Sequence, residues 1–259
     1  MFPRWTSHAY HGLVDLRLFS TSTRDESDNK ITEAQLVRIL EVSPRLRILH
    51  FELKITHRPE TRTAASRVRL ADLEVVRVGS AYDDFTRIEH LLRLLEPGPK
   101  PLHLSIQCDA PETDTEFSTL ETKAFFTRSK VTKILVCGIP QLPKLLPSLP
   151  HLRVLIMSMQ MHLPQPQPNP PTLSNLPTYP QLDTCFVQSC SLPLDEFLAL
   201  IRHCRPKTLI LFNNEFHRNG TRKKVEMEIV EKELSAICSN ITIAHTHPSL
   251  AEHQDLLYD

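Results

Sequence analysis

One recurrent spacing of apolar residues constrains this chain more than any other feature. Leu182, Cys185, Val187 and Cys190 stand in the order L-x-x-L-x-L-x-x-N/C, and Pro206-Lys-Thr-Leu-Ile-Leu-Phe-Asn-Asn214 approximates it with proline in the first slot. The spacing has a physical cause. The first three anchors alternate inward from a short strand, and the Asn or Cys bonds backbone groups where the chain turns away. One such unit cannot bury its apolar side alone, so copies must stack.

Weaker copies run along the chain. Leu13, Leu16 and Leu18 make the first, and Leu46, Leu49 and Phe51 the second. Leu70, Leu73, Val76 and Val78 follow, then Leu104 and Ile106, Val131, Ile134 and Val136, and Leu152, Leu155 and Met157. Ile241 and Ile243 form a last, weak strand. Starts at 13, 46, 73, 101, 131, 152, 182, 206 and 238 lie roughly 21 to 33 residues apart, within the range of stacked repeats.

Helical patterns fill the gaps. Thr32 and Gln35 have capping-box spacing ahead of Leu36, Val37 and Leu40, and Pro44 stops that helix. Asp84 is placed to cap a stripe of Phe85, Ile88, Leu91, Leu92 and Leu95, which ends at Pro97-Gly-Pro-Lys-Pro101. A helix over 116–129 is expected to bury Phe117, Leu120, Ala124 and Phe125. Further helices are expected over 193–205 and 222–239, the latter with Val225, Ile229, Leu234 and Ile237 on one face.

Strands and amphipathic helices in alternation predict an α/β fold, a leucine-rich-repeat solenoid with a curved, mostly parallel sheet and helices on the convex face. Only Cys190 and Asn214 fill the polar slot, so the repeats are degenerate. The reading is one domain over 1–259, with a Pro-rich insertion loop at 162–180 and a tail from 248. The insertion is either a plain loop between repeats or a ligand for a proline-recognising domain. A solenoid needs a capped end, and residues 1–11 offer little beyond Phe2, Trp5 and Tyr10. The strand at Leu13 is therefore expected to be an open edge liable to self-association.

Composition narrows the function class. Lys plus Arg and Asp plus Glu are both 30, so no net field favours nucleic acid or an anionic membrane. Five glycines against 21 prolines count against glycine-loop nucleotide folds, and six irregularly spaced cysteines suit reduced structural thiols. The longest stretch free of charge, 154–182, is too proline-rich for a membrane helix, and residues 1–20 lack a signal-peptide core. The expected setting is intracellular, cytoplasmic or nuclear.

Strand alternation also assigns faces. The residue between the second and third anchors points away from the helices and reads Arg17, His50, Arg77, Ser105, Leu135, Ile156, Phe186, Ile210 and Thr242. The column turns from polar to apolar halfway, and Val154 and Phe212 extend its apolar half. Such a patch is either a partner site or is covered by the protein itself. The candidate protein-binding site on this concave face is Leu135, Ile156, Phe186, Ile210 and Phe212, with Arg17, His50, Glu52 and Arg77 tuning approach and specificity.

Other constellations are weaker. Cys185, Cys190, His203 and Cys204 match zinc by type and not by spacing, because neighbours on a helix project about 100° apart. His245 and His247 share a strand face without a third ligand nearby. Arg222, Lys223 and Lys224 precede a run of glutamates at i,i+4 spacing and read as a solvated helix face. No catalytic or phosphate-cradling motif is present in the sequence, and neither a cofactor nor a metal is expected.

Residues 36–53 (LVRILEVSPRLRILHFEL), 68–78 (VRLADLEVVRV) and the LLRLLEPGPKPLHLSI core of 88–106 carry a resemblance. In them the chain resembles the leucine-rich-repeat portion of fungal F-box-type proteins, especially the divergent sets of mushroom-forming basidiomycetes. That resemblance implies an intracellular substrate-recognition role in ubiquitination, with an N-terminal F-box docking on the Skp1 adaptor of a cullin ligase. About a dozen residues precede Leu13, so Skp1 and cullin are expected partners only if an F-box is supplied elsewhere. The leading expectation is a non-catalytic protein-recognition module with an unidentified protein ligand. The alternative is a regulator or activator of another enzyme, such as a GTPase activator, or an α/β enzyme with no recognised motif.

Overall fold

Period-two alternation builds nine long parallel strands in the computed structural model, one at each of the nine expected positions. The structure describes residues 5–19, 30–56, 67–80, 85–108, 119–137, 142–158, 181–218 and 223–244. The Pro-rich segment 162–180, the tail 248–259, and Phe2, Asp84, Phe117, Arg222, His245 and His247 lie outside them. The chain divides into two compact units, 1–108 with 114–131, and 109–113 with 132–259.

In the first unit the order is β1 (Asp15–Leu18), β2 (Lys30–Thr32), α1 (Glu33–Glu41), β3 (Ile48–Phe51), β4 (Lys54–Thr56), β5 (Val68–Leu70), β6 (Val75–Ser80), α2 (Phe85–Leu94), β7 (Leu95–Pro97), β8 (Leu102–Cys108) and α3 (Thr119–Arg128). The long strands pair in the order β1-β3-β6-β8, all parallel. One face is core. Leu16, Leu18, Leu49, Phe51, Val76, Val78, Leu104 and Ile106 are all at most 4% exposed. The helices supply Leu36, Ile39, Leu40, Ile88, Leu91, Leu92, Phe125 and Phe126, also buried.

Local chemistry fixes the helix ends. Thr32 Oγ1 accepts from Gln35 N at 3.3 Å while Thr32 N donates to Gln35 Oε1 at 2.9 Å, which satisfies two orphan helix groups. At the C-terminal end of α2, Arg128 donates to the carbonyls of Leu95 (3.0 Å) and Leu92 (2.6 Å), a side chain standing in for the next helical turn. The shape of α3 differs from expectation. Leu120 is 75% exposed and Thr122 is fully buried, so the core stripe runs through 122, 125, 126 and 129. Phe125 and Phe126 are the larger payload, and they set the rotation of the helix.

The second unit holds β9 (Val131–Cys137, whose first residue belongs to the first unit), α4 (Leu142–Leu145), β10 (Val154–Ser158), β11 (Thr184–Gln188), β12 (Ser191–Pro193), α5 (Leu194–Cys204), β13 (Thr208–Phe212), β14 (Glu215–His217), α6 (Met227–Ser235) and β15 (Ile241–Ala244). Here the parallel order is β9-β10-β11-β13-β15. On α6 the buried residues are Val230 and Leu234, whereas Ile229 is 41% exposed. The helix begins at Met227, after Val225, which moves the buried stripe off the expected one. Lys224 accordingly pairs with Glu215 at 2.7 Å instead of with a helical glutamate.

Six three-residue strands go unannounced by the sequence: β2 with β4, β5 with β7, and β12 with β14, each pair parallel. β4, β12 and β14 form just after a long strand and β5 and β7 just before one, each pairing with the equivalent segment beside the neighbouring long strand.

Candidate functional site

The repeat slots carry their own hydrogen bonds in the second unit. Ser189 and Asn213 have positive φ, 52° and 49°, and turn the chain out of β11 and β13. The next residues are Cys190 and Asn214, both buried. Asn214 Oδ1 accepts from Cys190 N at 2.9 Å, and its Nδ2 donates to Val187 O at 2.9 Å. Cys190 Sγ lies 3.2 Å from Gln188 O and 3.7 Å from Met157 O, one strand back. Cys190 and Asn214 thus tie each turn to the preceding strand.

Outward positions fall into in-register rows. In the first unit Arg17, His50, Arg77 and Ser105 are neighbours across four strands. None of them is buried. Arg17 is held by Asp15 at 2.9 Å, and the ring of Phe19 stands edge-on to His50 with centroids 6.1 Å apart. Burial, then the guanidinium groups of Arg17 and Arg77, hold the His50 imidazole below its ordinary 6.5. Glu52 lies opposite Gly79, where an added Cβ would stand 3.1 Å from Glu52 Cγ. Arg17, His50, Glu52 and Arg77 are therefore brought together on one partly open, polar face. Arg17 and Arg77 flank the imidazole on this face, with Arg17 bonded to Asp15.

The apolar half of the expected site is arranged differently. Ile156 (0%), Phe186 (1%), Ile210 (7%) and Phe212 (9%) form one buried cluster, with Leu135, Val154 and Ala244 packed against it. Register explains the assembly: Leu135, Ile156, Phe186 and Ile210 are direct neighbours on β9, β10, β11 and β13. As an exposed docking patch this set is corrected. Ile156, Phe186, Ile210 and Phe212 are core and Leu135 is partly buried against them, and the strands of the second unit bury apolar residues on both faces, as parallel strands commonly do.

A second row escaped the sequence reading. The residue just after the first anchor reads Arg47 and Glu74 in the first unit and Arg153, Asp183 and Lys207 in the second, and within each unit they meet at the starting ends of the strands. In the first unit Glu74 sits between Arg47 (2.7 Å) and Lys100 (2.8 Å), with Asp72 3.1 Å from Lys100. Val14 and Arg45 join these four around a shallow hollow. Hydrogen bonds from Arg47 and Lys100 pull the Glu74 carboxyl down to about 2. In the second unit Asp183 lies between Lys207 (2.6 Å) and Arg153 (3.1 Å), and the same cause lowers its carboxyl. The signal was present as alternating sign at one repeat position. Pairing follows because adjacent strands carry those positions side by side.

Two chemical candidates have structural explanations. Cys185, Cys190 and Cys204 are buried, and burial pushes the Cys185 thiol well up and the Cys204 thiol to about 12. Thiols so protonated are poor nucleophiles and poor ligands. Ser191 Oγ lies 2.8 Å from His217 Nε2, a nucleophile-to-base distance. Among the described residues His217 Nδ1 has no hydrogen-bond partner, however, so no third group there orients the ring, and the pair links β12 to β14. Among the described residues no group of three or more His, Cys, Asp or Glu is placed to hold a metal ion, and no helix is long and apolar enough to cross a membrane. No protein-family model, curated protein or solved structure matches this chain.

Proposed function

We propose that this chain is a non-catalytic protein-recognition module of the leucine-rich-repeat type, whose contact face is the polar row of the first unit. The observation that carries the reading is the in-register set Arg17, His50 and Arg77, open on one side of a sheet whose other side is packed with helices. A parallel sheet that leaves one face polar and accessible departs from the usual burial of both faces, and a partner is the natural cover. The tie between Cys190 and Asn214 supports the repeat assignment, since it uses the polar slot in the way the spacing requires. The resemblance to the repeats of F-box-type receptors supports substrate recognition for ubiquitination, with Skp1 and a cullin recovered where an F-box is supplied elsewhere.

The ligand chemistry that fits is an acidic peptide segment of another protein, with carboxylates meeting Arg17 and Arg77. Affinity purification from the source cells, with the wild-type chain beside an Arg17→Ala/Arg77→Ala variant, tests it. Partners rich in Asp and Glu that are lost from the variant are expected. An unchanged set of partners, with the variant still folded, overturns the assignment of this face.

A further inference from the structure

Among the described residues β1 has a single strand neighbour, β3. Val14 O accepts from Arg47 N (2.8 Å) and Ile48 N (3.1 Å), and Leu18 O accepts from Glu52 N (2.9 Å). Successive residues of a strand turn their backbone groups to opposite sides, so Asp15 and Arg17 direct theirs to the outer edge. The N-terminal turn is held elsewhere, at the end of α1. Gly12 N donates to Val42 O (2.8 Å), and Ser43 Oγ donates to Tyr10 O (2.8 Å). Val14 and Phe19 flank the strand at 46% and 44% exposure, two of only four large apolar side chains so exposed among the described residues. An edge of this kind is a template for another strand.

We infer that β1 is the interface of a two-fold homodimer, in which it pairs antiparallel with β1 of a second copy about Leu16. Backbone direction and charge select the register together. Only residues with outward backbone groups exchange hydrogen bonds, so odd-numbered residues must face odd-numbered ones. Centring on Leu16 sets Asp15 opposite Arg17 of the second copy, and Arg17 opposite its Asp15. Both hydrogen-bonded pairs then carry opposite charges on one face, extending the ion pair that Asp15 and Arg17 make within each copy (2.9 Å) into a four-charge array of alternating sign. Centring on Asp15 or on Arg17 keeps the backbone bonds but sets like charges face to face. The Leu16 register also sets Val14 and Phe19 along the seam, beside Leu18 and Leu13 of the second copy. The patch is self-complementary, as an isologous interface requires. Head-to-tail pairing with β15 lacks this match, because Ile241–Ala244 offers no charge to answer Asp15 or Arg17.

Sedimentation of the full chain over a concentration series tests the inference. The wild type is expected to pass from monomer to dimer and stop there. Asp15→Arg alone, or Arg17→Asp alone, sets like charges across both pairs and is expected to weaken the dimer about tenfold or more. An equimolar mixture of those two variants is expected to recover dimer, because each copy then supplies the charge that the other lacks. The double variant Asp15→Arg/Arg17→Asp is expected to dimerise alone for the same reason. The side chains are 39% and 51% exposed, so the fold is expected to tolerate all three changes, which circular dichroism checks. A wild type that stays monomeric into the millimolar range overturns the inference. So does assembly beyond two copies, a single variant that dimerises like the wild type, or a mixture that fails to recover dimer.

Discussion

Asn214, just after β13, reaches back to Cys190, just after the neighbouring strand β11. Its Oδ1 accepts from the Cys190 backbone N–H and its Nδ2 donates to Val187 O, both at 2.9 Å, at a side chain only 6% exposed. Asn214→Ala therefore strands a donor and an acceptor in a buried turn, at about 1–3 kcal/mol for each unsatisfied group. Asn214→Asp keeps the acceptor, loses the donor and buries a charge, so it is expected to be at least as damaging. Urea unfolding of both variants measures this. Two variants as stable as the wild type would mean that the turn finds other partners.

Phe186 is the centre of the second unit's outer-face cluster, 1% exposed and in register with Ile156 and Ile210. Phe186→Ala is expected to cost about 3–5 kcal/mol of folding stability. Leu120→Ala, at a side chain 75% exposed on α3, is expected to change stability by less than about 0.5 kcal/mol. The contrast in denaturation midpoints decides whether the apolar column is core or surface. A Phe186 variant with unaltered stability would return it to the surface.

The anchors that alternate inward were legible because burial acts on them residue by residue, and all nine long strands could be placed from Leu, Ile and Val spacing. The capping box at Thr32 and Gln35 was legible for the same reason, being a local bond between neighbours in sequence. What covers the outer face is a tertiary matter. Alternation sends Phe186 and Ile210 outward in the same way as His50 and Arg77, and nothing in the pattern says which of the two sets will be buried. Helix faces failed where a stripe had two solutions. On α3, Leu120 with Ala124 competes with Thr122, Phe125 and Ser129, and the aromatic pair decides. The short strands at 30–32, 54–56 and 191–193 are too brief to show a period, and they exist because an adjacent copy pairs with them.

Arg128 closes the end of α2 through the carbonyls of Leu92 and Leu95 while its guanidinium lies 5.3 Å from the Phe125 ring centroid. Arg128→Met retains the apolar stem and removes the donors. The expected cost is about 1–3 kcal/mol, from two helix-end carbonyls left without a charged donor. Amide hydrogen exchange is expected to accelerate across the last turn of α2 more than in β6. Uniform protection in the variant would show that water replaces the arginine fully.

Glu74 provides a pH test at the strand-start edge. Its carboxyl falls from an ordinary 4.5 to about 2 because Arg47 and Lys100 bond the charged form. A depressed folded-state value contributes stability that is present above 4.5 and lost as pH falls toward 2. Solvent exposure keeps the amount small. Thermal melts of the wild type are expected to steepen their loss across that window relative to Glu74→Gln. Parallel curves for the two proteins would show that the ion pairs add nothing in solution.

His50 titrates in the opposite chemical sense with the same pH sign. Burial comes first among the causes that lower its imidazole, followed by the charges of Arg17 and Arg77, while Asp15 opposes them. The folded chain therefore favours the neutral ring. Stability from this group is fully present above an ordinary 6.5 and is lost as pH falls through the lower folded value. An acidic peptide on the Arg17–His50–Arg77 row would neutralise the local field and raise the imidazole again, so binding is expected to take up protons between those two values. Imidazole C–H chemical shifts followed by NMR report both states. Arg77→Ala in the free chain is expected to move the His50 midpoint upward, by less than removal of burial would. Saturation with an Asp- and Glu-rich peptide is expected to move it upward in the wild type and less in the Arg77 variant. A midpoint that ignores both the substitution and the peptide would separate His50 from the charges beside it, and the row would lose its claim to be a recognition face.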